Sequence, residues 1–298
     1  MEHRLTMAEG LIAIDWGTTN RRAYRLEPGG GRADLLEDGL GVLSVPRGGF
    51  PSEVERLRLR CGPGPMLLAG MVGSNRGWIE TDYLPVPAGL EELARAIHWA
   101  APGIGIVPGV AVTGAGADVM RGEEVQILGA LADGLIDEGA PVCHPGTHAK
   151  WMRLDGAALG RFRTVMTGEL FGLLKRDSIL AELLAPAPAD GPAFRAGVGH
   201  ALAHCDLTAE LFTIRARHLL EAAGPEWSAA YASGLLIGAD VRIGLGWCGG
   251  EDDVAVIGRP DLAALYAAAL ACAGRGAIIV DGEAAFAAGM RALAEQLQ

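Results

Sequence analysis

Leu11-Ile12-Ala13-Ile14-Asp15-Trp16-Gly17-Thr18-Thr19-Asn20 is a short apolar run that ends in a carboxylate and breaks into small polar residues. A run of this length beside a glycine suits a buried strand entering a tight turn. Arg22 to Leu26 then reads as the returning strand of a hairpin. Such a turn presents backbone N–H groups and the hydroxyls of Thr18 and Thr19 to phosphate oxygens. A carboxylate at the strand end, Asp15, suits a hydrated Mg²⁺ beside them. The plainer alternative is an ordinary hairpin turn, since Asp, Gly, Thr and Asn all favour turns.

The pattern recurs. Pro141 to His144 is a second apolar strand, followed by Pro145-Gly146-Thr147-His148-Ala149-Lys150-Trp151 and a returning strand. Phosphoryl transfer needs donors on both sides of a triphosphate, so two such turns, one in each half, support each other. The chain has 25 basic residues, of which only Lys150 and Lys175 are lysines. A lysine within this turn therefore invites a phosphate role for Lys150, with chance as the alternative.

Three further stretches carry chemistry-bearing side chains. Arg121-Gly122-Glu123-Glu124 opens a helix whose inner face is Val125, Leu128 and Leu131 or Ala132. Acids in a first turn are favoured by the helix dipole alone, whereas the functional reading makes one of them a general base. Met71 to Trp78 places Ser74, Asn75 and Arg76 on a Gly-flanked loop after an apolar strand. These suit a sugar hydroxyl and a carboxylate, and a solvated loop is the bland reading. Gly258-Arg259-Pro260 joins a strand to a helix and lets backbone approach a nucleoside. His200 and His204 lack a third ligand, and Thr164 to Glu169 reads as a helix cap.

Further strands are expected at 65–69, 104–107, 110–113, 254–257 and 277–280. Helices are expected at 90–99, 123–132, 169–184, 207–222, 227–245, 261–273 and 283–297, while the Pro-rich stretch 185–192 is a loop. Hairpins followed by strand and helix alternation, once in each half, predict an α/β chain of two similar lobes with mixed sheets. With 298 residues the length suits two domains of about 150 residues each. The expected division is a tail at 1–10, an N-terminal lobe at 11–135 with the closing helix 283–298 packed near the cleft, and a C-terminal lobe at 136–282.

The net charge of −11 opposes nucleic acid and anionic membrane as partners, because the phosphate-neutralising contribution has the wrong sign. Five scattered cysteines without a C-x-x-C pair indicate neither a disulfide framework nor a zinc site. The apolar run at 11–14 is too short for a leader or a membrane span, so a cytoplasmic protein is expected. Apolar helices such as Leu235 to Leu245 suit either the core or a partner subunit, which keeps a homodimer open.

Five stretches in order, AIDWGTTN (13–20), AGMVGSNRGW (69–78), VMRGEEVQILGA (119–130), PGTHAKW (145–151) and FRTVMTGEL (162–170), resemble those of the 2-dehydro-3-deoxygalactonokinase family. The resemblance runs from Leu11 to about Leu297. It implies two ribonuclease H-like lobes of the actin/hexokinase ATPase superfamily around a central ATP cleft, with the two turns as phosphate loops and Val256 to Ala273 as the adenosine segment. It also implies transfer of phosphate from ATP, with Mg²⁺, to the 6-hydroxyl of 2-dehydro-3-deoxy-D-galactonate.

By the same resemblance Gly17, Thr18, Thr19, Asn20, Gly146, Thr147, His148, Lys150, Gly258 and Arg259 contact the nucleotide, and Asp15 holds the metal through water. Trp16, Ser74, Asn75, Arg76, Trp78 and Arg121 are the expected sugar-acid contacts. Catalysis falls to Asp15 and the Glu123/Glu124 pair. Similarity to the Gly-x-Glu-Glu pattern of exopolyphosphatases favours Glu123 as the base. The chain departs from the superfamily in having Gly258-Arg259-Pro260 for a glycine pair and in placing His144 where an apolar residue is expected. The competing readings are a kinase for the gluconate-derived epimer and a non-catalytic nucleotide sensor. The sensor is disfavoured by the presence of Glu123.

Overall fold

The computed structural model describes residues 10–298, so the tail expected at 1–10 lies, apart from Gly10, outside the described residues. The first elements are β1 (Leu11–Trp16), β2 (Arg21–Leu26), β3 (Arg32–Asp38), α1 (Phe50–Cys61), β4 (Met66–Gly70), β5 (Tyr83–Pro85) and α2 (Leu90–Arg95). They are followed by β6 (His98–Ala101), β7 (Ile104–Ile106), β8 (Gly109–Val112), β9 (Asp118–Met120) and α3 (Glu123–Ala132). Next come β10 (Pro141–His144), β11 (Ala149–Asp155), β12 (Ala158–Val165), α4 (Thr167–Asp177), α5 (Pro192–Ala203), α6 (Leu207–Glu221) and α7 (Pro225–Cys248). The last are β13 (Val254–Gly258), α8 (Pro260–Cys272), β14 (Ala277–Asp281) and α9 (Gly282–Glu295).

Two compact units result. Among the described residues, one holds 10–138 with Leu154–Arg161 and Gly282–Gln298; the other holds Gly139–Arg153 and Phe162–Asp281. The first unit carries a six-stranded sheet in the order β3-β2-β1-β4-β7-β6, and the second sheet runs β12-β11-β10-β13-β14. In the first, β1 pairs antiparallel with β2 and parallel with β4. In the second, β10 pairs antiparallel with β11 and parallel with β13. Each sheet thus has a central strand whose far end opens into a turn, with a parallel strand ending alongside it. A small third sheet, β5-β8-β9, belongs to the first unit.

The apolar run at 11–14 is explained by this placement. Leu11, Ile12, Ala13 and Ile14 are all fully buried, because β1 is a central strand covered on both faces. Ile12, Ile14 and Trp16 join Phe50, Val54 and Leu57 of α1 in one core cluster. In the second unit Trp151, Phe194, Val198, Val241 and Tyr266 belong to the corresponding cluster. In α7, Leu235 to Val241 is buried, which settles the core-or-partner alternative for that stretch in favour of the core.

Two helix expectations need correction. The helix expected over 90–99 stops at Arg95, and Trp99 lies instead in β6, paired with Gly105 of β7. The helix expected over 169–184 starts earlier, at Thr167, and ends at Asp177. It is stopped by Ser178, whose hydroxyl donates to the Leu174 carbonyl and accepts from the Leu180 amide. Helix α1 went unread, although Phe50, Val54, Leu57 and Cys61 are buried at helical spacing.

Candidate active site

The first turn is held rigidly from one side. Gly17 N–H donates to the Asn20 carbonyl at 2.9 Å, closing the hairpin. The carbonyls of Gly17, Thr18 and Thr19 accept from the amides of Val42, Leu43 and Gly41 at 3.0, 3.3 and 3.1 Å. Gly41 lies so close that a Cβ there would stand 2.4 Å from the carbonyl carbons of Thr18 and Thr19. With its carbonyls engaged by residues 41–43, the turn leaves Thr18, Thr19 and Asn20 exposed to solvent. Trp16 is not available to a ligand: it is 0% exposed, and its indole donates to the Leu40 carbonyl at 2.9 Å and packs on Phe50. Its expected sugar-acid contact is corrected accordingly, since successive strand residues face opposite sides and this one faces the core.

Asp15 is the second-last residue of β1 and lies opposite Ala69 of β4. The next residue, Gly70, has φ 90° and lets the backbone pass so near that a Cβ would sit 3.5 Å from Asp15 Oδ1. Gly122, with φ 108°, packs on Gly70 in turn and delivers the start of α3 to the same place. Burial pushes the Asp15 carboxyl up to about 6; Arg22 opposes this, while the negative charges of Glu123 and Glu283 add to it.

The two glutamates of α3 differ in their surroundings. Glu124 is 0% exposed, and burial raises its pKa to about 8, with Glu123 adding and the amides of Gly122 and Glu124 and the Arg121 charge opposing. It is therefore chiefly protonated at neutral pH. Glu123 is only partly buried, accepts from the Arg121 amide at 3.1 Å, and is near enough to Asp15 to act on its charge. A carboxyl with some access to solvent suits proton abstraction better than an enclosed one.

The 71–81 loop splits the expected sugar-acid residues. Asn75 and Arg76 are exposed, and Trp78 is partly buried against the core cluster. Ser74 is buried and builds the loop, its hydroxyl donating to the Met71 carbonyl at 2.7 Å and accepting from the Arg76 amide at 3.2 Å. Arg121 is buried too. Its guanidinium donates to the hydroxyl and the carbonyl of Thr81 and stacks on Tyr83 with its centre 4.3 Å from the ring. It props the loop from beneath through Thr81 and Tyr83.

The second turn repeats the locking device. Gly168 lies against it, so that a Cβ would be 2.5 Å from the Gly146 carbonyl oxygen. The Glu169 amide donates to the Thr147 carbonyl at 2.9 Å. The exposed His148 ring is paired with the Glu169 carboxylate at 2.5 Å, while Lys150 is buried and donates to the His148 carbonyl at 3.0 Å. The capping role expected for 164–169 is overturned. No side chain caps α4, and the Thr167 hydroxyl instead donates to Asp240.

Gly258 ends β13 against Pro145, with 3.7 Å from its Cβ position to the Pro145 carbonyl oxygen. Arg259 is exposed and paired with Asp261 at 3.3 Å. Beside Gly146 lies a largely apolar recess of about 100 Å³, lined among others by Phe171, Leu236, Leu262, Leu265 and Tyr266. Three of these belong to α8, inside the stretch expected to hold adenosine, whereas Gly258 and Arg259 are not among its walls.

The part that Gly41, Gly70, Thr167 and Gly168 play in holding the turns is absent from the sequence reading; Gly41 and Gly168 each lie three residues beyond the third strand of their meander. The matching offset was the available signal.

A family model described as 2-keto-3-deoxy-galactonokinase matches residues 15–293. A 2-dehydro-3-deoxygalactonokinase of Escherichia coli K12 is 35% identical over 292 residues, covering 97% of this chain and 98% of the relative. A crystal structure of a 2-dehydro-3-deoxygalactonokinase candidate from Sinorhizobium meliloti superposes with a TM-score of 0.89 at 34% identity, covering 96% and 98% of the two chains. The activator of the 2-hydroxyisocaproyl-CoA dehydratase from Clostridium difficile, solved with bound ADPNP, shares the fold at a TM-score of 0.53 and 14% identity over 96% of this chain and 95% of its own.

Proposed function

Because this chain belongs to the 2-keto-3-deoxy-galactonokinase family, with the actin/hexokinase-like ATPase fold, we propose that it phosphorylates 2-dehydro-3-deoxy-D-galactonate with ATP at the 6-hydroxyl, in galactonate breakdown. It is a phosphotransferase with an alcohol acceptor. The observation that carries the mechanism is the juxtaposition, through Gly70 and Gly122, of Asp15 with a partly accessible Glu123 at the mouth of the first turn.

Glu123 takes the proton of the 6-hydroxyl as that oxygen attacks the γ-phosphorus. The bond from the γ-phosphorus to the bridging oxygen breaks, and ADP leaves with the electron pair. Thr18, Thr19, Gly146 and Thr147 contact phosphate oxygens. Asn75 and Arg76 bind the sugar acid, the guanidinium by its fit to a carboxylate. The nucleotide base enters the apolar recess beside Gly146, where flat aromatic surface meets Phe171, Leu265 and Tyr266.

The donor set at Asp15 fits Mg²⁺. One carboxylate, destabilised by the neighbouring Glu123 and Glu283, suits an ion held through water and shared with phosphate oxygens rather than caged by protein. When bound, the ion neutralises phosphate charge. The net charge of −11 argues against nucleic acid or an anionic membrane as a partner. No helix among the described residues is long and apolar enough to cross a membrane. The site of action is the cytoplasm.

ADP release measured over a panel of 2-keto-3-deoxy sugar acids tests the assignment. The galacto acid is expected to give the highest kcat/KM, and a clear preference for the gluco epimer would transfer the assignment to that substrate.

A further inference from the structure

Asp240 is a fully buried carboxylate on α7 that faces three donors from three other elements. Trp151 Nε1 of β11 donates at 2.6 Å, Thr167 Oγ1 of α4 at 2.5 Å, and the Tyr266 hydroxyl of α8 completes the set. A buried carboxylate is a costly way to join elements that apolar side chains would hold equally well, unless it fixes a geometry. The geometry lies one residue away. Thr167 is followed by Gly168, packed on the Gly146 carbonyl, and by Glu169, whose amide holds the Thr147 carbonyl.

We infer that Asp240, acting through the Thr167 hydroxyl, is a positioning residue that sets the placement of the 146–147 turn and hence the affinity for the phosphates of ATP. The inference rests on the reading that this turn contacts the nucleotide. Asp240 is not among the walls of the recess beside Gly146, although Thr167 and Gly168 are; it pins the first residue of α4 through the Thr167 hydroxyl. The helix start then transmits that position to the turn through one close packing contact and one backbone hydrogen bond. Losing the hydroxyl frees the helix start by the margin of one hydrogen bond to a carboxylate, on the order of a tenfold change in an equilibrium constant.

Steady-state kinetics on Thr167→Val, Thr167→Ser and Gly168→Ala, each with ATP and sugar acid varied separately, test it. Thr167→Val, nearly isosteric, is expected to raise KM for ATP about tenfold while KM for the sugar acid stays within about twofold. Thr167→Ser, which restores the hydroxyl, is expected to return KM for ATP to within about twofold of the parent. The inference is overturned if Thr167→Val lowers Tm but leaves KM for ATP in place while Gly168→Ala raises it. It is equally overturned if both KM values rise together, or if serine fails to restore. Should Gly168→Ala also leave KM for ATP unchanged, the assignment of the turn to phosphate fails first, and the role of Asp240 with it.

Discussion

Both carboxyl oxygens of Glu124 accept from the single amide of Gly122, at 2.8 and 2.6 Å. The side chain is thereby folded back onto the start of its own helix and away from solvent, whereas Glu123 is only partly buried. Glu123→Gln is expected to lower kcat by about 10² to 10⁴-fold, the usual contribution of a general base. Glu124→Gln mimics the protonated acid and is expected to stay within about threefold of the parent. A steady-state comparison in which Glu124→Gln is the more damaging change would reverse the assignment.

The raised carboxyls make stability depend on pH. Each is protonated in the folded state at pH values where it is ionised in the unfolded chain, so the folded state binds more protons and stability falls as pH rises. For Asp15 the window runs from its ordinary value of 3.8 to about 6. For Glu124 it runs from 4.5 to about 8. Melting of the metal- and nucleotide-free protein should therefore fall between pH 4 and 8. Asp15→Asn is expected to flatten the lower part of that decline and Glu124→Gln the upper part. An unchanged slope in both variants sinks the electrostatic picture.

Asp15→Asn also removes the carboxylate assigned to hydrated Mg²⁺. The Mg²⁺ concentration for half-maximal rate should rise at least about tenfold, together with a fall in kcat. If titration with Mg²⁺ gives the parent curve, Asp15 does not serve the metal.

Gly41→Ala puts a methyl group where the Thr18 and Thr19 backbone already lies, 2.4 Å away. The turn has to move, and KM for ATP is expected to rise about tenfold or more with a smaller change in KM for the sugar acid. Equal changes in both constants would show that residues 41–43 maintain the fold and not the turn.

Arg76 and Arg121 are expected to separate by kind of effect. Arg76→Ala, at an exposed position, should weaken sugar-acid binding about tenfold in calorimetry with ATP binding and Tm unchanged. Arg121→Lys loses the paired bonds to Thr81 and the fit over Tyr83, and should lower Tm by several degrees. A normal Tm in Arg121→Lys contradicts its role as the prop of the 71–81 loop.

Much of this was written in local pattern. The run at 11–14 is apolar without alternation because β1 is buried on both faces, and that property is visible in any central strand. Two hairpin turns of one composition announced two related sheets, and residues 122–124 announced a helix start rich in acid. Helix α1 was equally visible at Phe50, Val54 and Leu57, but its arginine-rich face obscured the stripe.

Roles within those elements were another matter. Glu123 and Glu124 are adjacent and chemically identical, and only the folded structure shows that one is enclosed and the other partly accessible. Trp16 follows Asp15 in sequence and yet faces the core. Thr167 reads as a cap, but its hydroxyl is claimed by Asp240, 73 residues further along the chain. Periodicity and turn chemistry depend on neighbours within a few positions, so the chain alone reveals strands, helices and turns. Burial, pKa and hydrogen-bond partnership depend on segments that meet after folding, so which polar groups are left to do chemistry is settled there.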